Sequence, residues 1–438
     1  MVSKMVAATP PMGWNSWDCY GASVTEEEVR GNASYMAEHL KAFGWEYVVV
    51  DIQWYEPGAY TSSYRPFVEL DMDEYSRLIP SVDRFPSSAE GKGFKPLADY
   101  VHSLGLKFGI HILRGIPRQA VHRNTPILGT SYTAREIAST NSICNWNTDM
   151  YGVNTAHLGA QAYYDSLLEL YASWGVDFIK VDDIARSFIG DKLYFAEEIE
   201  LIHHAIEKCG RPIVLSLSPG PTPLEAAEHV QKHANMWRMT NDYWDRWEDL
   251  VYEFGKCNEW SKYVGPGHWP DADMLPIGHI GIRSCEHGFG DRYTRFTKEE
   301  QLTMMTLWCI FRSPLMIGCE LRDMDEWTLS LLTNKEVLRV LNHSHSAHQV
   351  SRSKEEIIWT AQDEDGSCYL AVFNISEQPR TTKISLDTIG LEESYKAKDL
   401  WSHETLGEVE EYITLEVGTH GARLIHFERL LGLKTLVE

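Results

Sequence analysis

The chain has 438 residues, enough at roughly 150 residues per domain for one large barrel and a smaller domain, and enough to fold without a disulfide or metal staple. A hydrophobic fraction of 43% and a charged fraction of 24% exclude a disordered, collagen-like or coiled-coil chain. Forty Lys and Arg against 63 Asp and Glu leave a formal charge of −23, which repels phosphate backbones and anionic membranes, so neither nucleic acid nor a membrane is an expected partner.

The residues after Met1 show no apolar stretch of the kind a signal peptide needs, and no run of about eighteen apolar residues could cross a bilayer; a cytoplasmic location is the expectation. The first predicted strand is Met12-Gly13-Trp14-Asn15-Ser16, followed directly by Trp17. Thr25 with Glu28 then forms a capping-box signature, and Val29, Ala33, Met36, Leu40 and Phe43 follow at helical spacing, with Gly44 as the stop. Residues 45–51 read as a buried strand ending in Asp51. The unit recurs: a helix near Pro96 to Leu104 feeds the strand Leu106 to His111, a helix from about Ala156 to Trp174 feeds Val176 to Asp182, and a helix from about Phe195 to Cys209 feeds Pro212 to Ser216. Asn235 to Thr240, a stretch near Tyr263-Val264, and Pro314 to Ile317 continue the rhythm, with Thr297 and Glu300 capping the helix before the last. Eight strand-then-helix units imply a (β/α)8 TIM barrel over residues 1–345, and no GxGxxG or GxxxxGK[ST] opens a helix to suggest a nucleotide site.

From about Gln349 the pattern changes to period two, in Ile357 to Ala361, Ser367 to Asn374 and Thr381 to Leu386, separated by turn residues. Residues 346–438 are therefore expected to form a C-terminal antiparallel β-sandwich domain. Eight scattered cysteines without a CxxC read as free thiols, mostly buried. The His203/His204 and His343/His345 pairs lack a third ligand at zinc-like spacing, so no metal and no cofactor are expected.

In a barrel the working residues sit where strands end. Lys180 and Asp182 alternate with Val181 and share one side of the fourth strand, which suits a carboxylate kept ionised for attack on carbon or, equally, a buried ion pair. Asp242, four residues past Arg238, offers a second carboxyl two units on. Two carboxyls about 5–5.5 Å apart would make a retaining glycosidase, and a wider gap an inverting one. Trp14, Trp17, Trp54, Trp237, Trp244 and Trp269 flank the strand ends; flat aromatic faces suit sugar rings, although most tryptophans serve as core, Trp17 being the exception by position.

Together with Lys180-Val181-Asp182 and Trp237-Arg238…Asp242, the Met12-to-Trp17 segment, the run Gly265 to Leu275 and Ser313-Pro314-Leu315-Met316 resemble, in order along the whole chain, glycoside hydrolase family 27, the α-galactosidases and α-N-acetylgalactosaminidases. The resemblance implies a barrel followed by a β domain and a double displacement with retention. It implies Asp182 as nucleophile and Asp242 as acid/base, Lys180 and Arg238 on sugar hydroxyls, Trp17 lining the pocket, and Asp51 on the O4/O6 side; Trp54, His111 and Ser218 complete the candidate substrate contacts.

Three departures from the family bear on the sugar. The paired Asp-Asp after the second strand is Asp51-Ile52 here, so a hydroxyl ligand is missing. Ser218-Pro219-Gly220 stands where galactosidases carry a glutamate, which leans toward a 2-acetamido sugar. Arg114 and Arg118 follow the third strand in place of a small, cysteine-containing loop, and would meet an anionic substrate group or, more plainly, pair with surface carboxylates; Asp183 would orient a neighbouring loop. The expectation is thus a retaining exo-α-glycosidase on a terminal galacto-configured sugar, N-acetylgalactosaminide first, galactoside or β-L-arabinopyranoside next. Its partner would be a small-molecule or oligosaccharide substrate, with a homodimer allowed. A catalytically silent sugar-binding barrel and a metal-dependent hydrolase are the alternatives from other classes.

Overall fold

The computed structural model of the protein describes residues 6–189, 193–285 and 289–430. The chain divides into two compact units, one of Met1–Trp244, Gly265–Thr294 and Pro314–Thr328, the other of Asp245–Val264, Arg295–Ser313 and Leu329–Glu438.

In the first unit eight strands form one parallel sheet: β1 (Met12–Asn15), β2 (Tyr47–Val50), β3 (Lys107–Leu113), β4 (Phe178–Asp182), β5 (Val214–Leu217), β6 (Met236–Arg238), β7 (Trp269–Asp271) and β8 (Leu315–Ile317). Their order is β7-β6-β5-β4-β3-β2-β1-β8. Past the end of β7, the Leu275 N–H donates to the Met316 carbonyl at 2.8 Å, and Leu275 bridges Ile317 in parallel, so the sheet closes into a barrel. Strands such as Tyr47-Val48-Val49-Val50 are buried at every position, as a sheet covered on both faces requires.

Helices α1 (Glu26–Tyr35), α2 (Lys95–Ser103), α3 (Leu158–Trp174), α4 (Ala196–Cys209) and α5 (Ala227–His233) belong to this unit. The Thr25–Glu28 capping box starts α1 with both reciprocal bonds made. Gly175 and Gly210 end α3 and α4 in the left-handed region, at φ 88° and 71°, and turn the chain toward β4 and β5.

Two expectations need correction. The helical run from Val29 to Phe43 is not one α-helix: after Tyr35 it widens into a π turn over Met36–Leu40 and tightens into a 3-10 turn over Lys41–Phe43. The wide turn keeps both Met36 and Leu40 buried, and Phe43 falls off the buried face. The seventh strand is Trp269–Asp271 rather than the stretch near Tyr263-Val264, which ends a helix in a 3-10 turn. Pro270 is tolerated because Trp269 and Asp271 make the bonds to β6, while the missing N–H falls on the side toward β8.

The second unit contains α6 (Trp247–Trp260), α7 (Lys298–Phe311) and α8 (Lys335–His343), followed by β9 (Ser344–Arg352), β10 (Glu356–Asp363), β11 (Cys368–Asn374), β12 (Arg380–Ser385), β13 (Tyr395–Asp399), β14 (Thr405–Val409), β15 (Tyr412–Val417) and β16 (Ala422–Arg429). All the pairings are antiparallel: one sheet runs β9-β10-β11-β16-β13-β14, and β12 pairs with β15. Leu370, Val372, Ile425 and Phe427 of the larger sheet pack with Ile384, Ile413 and Leu415 of the smaller in one core, which is the sandwich arrangement. Thr297 and Glu300 cap α7 reciprocally. All eight cysteines are free, five of them buried. Among the described residues no helix is long and apolar enough to cross a membrane.

Candidate active site

The carboxyl ends of the barrel strands open into a cavity of ≈ 390 Å³. Asp51 and Ile52 follow β2, Lys180 and Asp182 end β4, Pro219 follows β5, Arg238 ends β6 and Asp242 follows it, and all seven line this cavity together with Trp17. The two candidate carboxylates therefore open on one space, but unequally: the Asp182 side chain is 15% exposed and that of Asp242 58%.

Around Asp51 at the end of β2, residues of β1 and β4 converge. Its Oδ2 accepts from Asn15 Nδ2 at 2.7 Å and from Lys180 Nζ at 3.0 Å, and its backbone N–H donates to Ser16 Oγ at 3.0 Å. Asn15 in turn takes the Trp17 N–H on its Oδ1 at 2.9 Å, which sets where the Trp17 ring starts. Asp182 Oδ2 lies 3.2 Å from His111 Nε2, and its Oδ1 accepts the Asp183 N–H at 3.0 Å. Arg238 reaches Asp273 at 2.6 Å and Asp242 at 3.3 Å.

Burial by itself would raise the Asp182 carboxyl, but the His111 ring, the Lys180 ammonium and the Ser218 hydroxyl outweigh it and hold the group well below the usual carboxylate range. Asp51 is likewise held low against burial by Lys180, His111 and Asn15. Burial would lower the Lys180 ammonium, yet Asp51 and Asp182 raise it, so the lysine stays charged. On the opposite side the balance reverses: burial pushes Asp271 up to about 7 and raises Asp273, and one guanidinium, Arg238, cannot offset both. The cavity thus holds a carboxylate fixed in its ionised form, the state a nucleophile needs at neutral pH.

Not every residue singled out in the sequence reaches the cavity. Of the six tryptophans, Trp17 and Trp244 line it, whereas Trp14, Trp54, Trp237 and Trp269 are fully buried. Trp54 donates its indole N–H to the His111 carbonyl and packs edge-to-face on Phe94 and Trp174, so it supports β3 from behind. His111 is buried against Asp182, and Ser218 lies beneath the surface with Pro219 at the cavity wall. Gly220 allows that loop to sit close: a Cβ there would stand 2.0 Å from the Thr240 carbonyl oxygen. Arg114 meets no surface carboxylate; it is buried, paired with Asp183 at 2.9 Å and Glu198 at 3.3 Å, and stacked 3.5 Å from the Phe195 ring centroid. Arg118 donates to the Met150 carbonyl and lies over Tyr151.

The sequence reasoning passed over Tyr64, Asn145, Trp146 and Phe188, which also line the cavity. Trp17 stacks on Tyr64 with ring centroids 6.1 Å apart, and Tyr64 meets Trp146 at 5.5 Å, forming an aromatic wall. A usable signal existed: each lies in the stretch that follows a barrel strand, on the face where barrels bind.

Residues 9–158 and 148–343 match the profile of the family described as Alpha galactosidase A, and residues 354–427 match the Alpha galactosidase C-terminal beta sandwich domain. An α-galactosidase of Cyamopsis tetragonoloba is 28% identical over 423 residues, covering 95% of this chain and 85% of that protein. The crystal structure of a β-L-arabinopyranosidase of glycoside hydrolase family 27 from Geobacillus stearothermophilus is 65% identical with a TM-score of 0.96, covering 97% of this chain and 98% of that one. A Bacillus halodurans protein proposed to be an α-N-acetylgalactosaminidase is 54% identical with a TM-score of 0.87, covering 98% and 99%. With both domains matched in order and a closed barrel whose strand ends carry the acidic cavity, the chain belongs to glycoside hydrolase family 27 and is a glycosidase.

Proposed function

We propose that the protein is a retaining, exo-acting β-L-arabinopyranosidase. Asp182 attacks the anomeric carbon while Asp242 gives its proton to the departing oxygen, leaving a glycosyl–Asp182 ester and a free alcohol. Water then attacks the same carbon, Asp242 takes its proton, and the ester bond breaks to release the sugar with its starting configuration. The low titration of Asp182 and the shared cavity support these roles, and speak against a catalytically silent barrel.

The observation that carries the sugar assignment is Ile52. β-L-Arabinopyranose has the ring of α-D-galactose without its exocyclic CH2OH. Ile52 lines the cavity directly after Asp51, so the place where the family's second aspartate would accept a hydroxyl is filled by a branched apolar side chain. A hydroxyl buried there without an acceptor costs about 1–3 kcal/mol, or ~5–150-fold in kcat/KM. The 65% identity to the Geobacillus enzyme points the same way. A 2-acetamido sugar, the first expectation from Ser218, has the 54% identical Bacillus protein in its favour, but Ser218 is itself buried and does not line the cavity, where Pro219 stands instead.

A panel of nitrophenyl glycosides tests the reading. The β-L-arabinopyranoside is expected to exceed the α-D-galactopyranoside by at least ~10-fold in kcat/KM, and Ile52→Asp to narrow or invert that ratio. Faster turnover of the α-N-acetylgalactosaminide, or a ratio indifferent to Ile52→Asp, overturns it.

A further inference from the structure

Away from the sugar pocket, α4 and α5 bring together three side chains whose chemistry is that of a metal ligand set. His229 and His233 stand four residues apart on α5, so they share one face of the helix, and their ring centroids are 4.3 Å apart. Glu200 on α4 projects toward them, and its Oε1 lies 3.2 Å from His229 Nε2. One donor atom from each residue lies within 4.8 Å of the other two.

The other ring nitrogens are already occupied. His233 Nδ1 lies 3.0 Å from the His229 carbonyl oxygen, so it carries the proton and leaves the Nε2 lone pair free. His229 Nδ1 lies 2.6 Å from the Tyr194 hydroxyl. Without a metal, His229 Nε2–H can donate to Glu200 while the Tyr194 hydroxyl donates to Nδ1; a cation binding between Nε2 and Glu200 would take the place of that proton and leave Nδ1–H to donate to Tyr194. Ligating histidines characteristically hold their second nitrogen in this way, which fixes both tautomer and ring orientation. Two ligands at tetrahedral angles and about 2.1 Å from zinc stand about 3.4 Å apart, so the Glu200–His229 pair already has the right bite. The His233 ring closes the set by a shift on the order of 1 Å. Glu200 and His229 are partly exposed and His233 is buried, so the two outer ligands are reachable from solvent.

We propose that Glu200, His229 and His233 bind a divalent cation of the zinc class, clamping α4 to α5. The imidazole pair selects zinc or its late-transition neighbours over magnesium or calcium, whose preferred ligands are oxygens. The helical spacing His229-Val230-Gln231-Lys232-His233 carries two of the three ligands in the sequence, and the third becomes visible only when α4 packs beside it. This proposal is independent of the sugar assignment.

The test uses the untagged full-length chain, stripped with EDTA and dialysed, titrated with zinc sulfate in a calorimeter. One zinc per chain with a micromolar Kd is expected, together with a rise in melting temperature of roughly 3–5 °C at a hundredfold excess over Kd. His229→Ala and His233→Ala should each weaken binding at least ~30-fold, and Glu200→Gln, which preserves shape, about tenfold. Turnover of a nitrophenyl glycoside should be the same in EDTA as in zinc, since the site does not adjoin the sugar pocket. No saturable binding up to millimolar zinc overturns the proposal, as does binding that survives in the His229→Ala/His233→Ala double variant with its circular dichroism spectrum intact. Should that double variant not fold, undiminished affinity in the Glu200→Gln chain overturns it instead.

Discussion

Replacing Lys180 by Met removes the ammonium on which two carboxylates depend while keeping most of the side chain's bulk. Its Nζ is 3.0 Å from Asp51 Oδ2, with the lysine side chain 17% exposed and the aspartate 1%. At that distance the attraction is about 5 kcal/mol for an effective dielectric of ~20, and removing one partner of a buried pair costs about 3–5 kcal/mol. The same ammonium is one of the groups that hold Asp182 low. The sign follows from the direction of the shifts. A carboxyl whose folded pKa is depressed contributes stability above its unfolded value, ~3.9, and loses it only as pH falls through the lower folded value. The native enzyme should therefore keep Asp182 ionised throughout pH 4–8, whereas in Lys180→Met the acid limb of kcat/KM should move up by about one pH unit or more, at 1.36 kcal/mol per unit. The assay is the pH profile of kcat/KM on a nitrophenyl glycoside, with thermal melts at pH 4 and pH 7. The melting temperature should fall by several degrees at pH 7, and by less at pH 4, where the uncompensated carboxyls can protonate. An unmoved acid limb together with an unchanged melt at pH 7 would refute the reasoning, because it would mean that the Lys180 charge acts on neither aspartate.

If Asp182 is the nucleophile as proposed, Asp182→Ala should lose more than ~1,000-fold in kcat while keeping its circular dichroism spectrum and melt; near-normal turnover would remove Asp182 from the reaction. Asp242→Ala should slow glycosides with poor leaving groups far more than nitrophenyl ones, since only the former need a proton in the first step; equal losses on both would deny the acid role. Arg114→Met strands Asp183 and Glu198 in the interior and should destabilise the chain by about 3–5 kcal/mol, read as a lower melting temperature in a scan at pH 7. Gly220→Ala should depress kcat/KM and the melting temperature together, because the added Cβ must push the Pro219 loop off the Thr240 carbonyl.

How much of this could be read from the sequence follows from the range of the forces involved. Capping boxes at Thr25 and Thr297 and glycine stops at 175 and 210 are local, so the spacing of a few residues defined the starts of α1 and α7 and both ends of α3 and α4 to within a residue or two, whereas the end of α1 at Tyr35 was missed because the run to Phe43 continues as a π turn and a 3-10 turn. The pairing of Lys180 with Asp182 on one side of β4 needs only the alternation of a strand, and the geometry of a parallel barrel carries both into the cavity. The seventh strand escaped because Pro270 contradicts local strand preference, and only the closure between β7 and β8 shows that its missing N–H is harmless.

Arg114 shows where local reading stops. In sequence it is a basic residue in a loop beside a second one, Arg118, and both were candidates for an anionic ligand or for surface carboxylates. The partners that determine its role lie 69 and 84 residues away, on the segment after β4 and on α4, and no periodicity within the third βα unit points to them. Its guanidinium also donates from Nε to the Asp183 carbonyl at 2.5 Å, so it holds the backbone next to Asp182 by both side chain and main chain. Asp183 sits in the left-handed region at φ 57°, a conformation that an aspartate adopts at a cost unless its surroundings fix it. A charge that resembled a substrate contact is thus the buried brace that lets the chain turn sharply just past Asp182. Ile52 is the converse case: an apolar residue that composition and periodicity would assign to the core was singled out only by its departure from the family's Asp-Asp pattern, and the structure places it on the cavity wall beside Asp51.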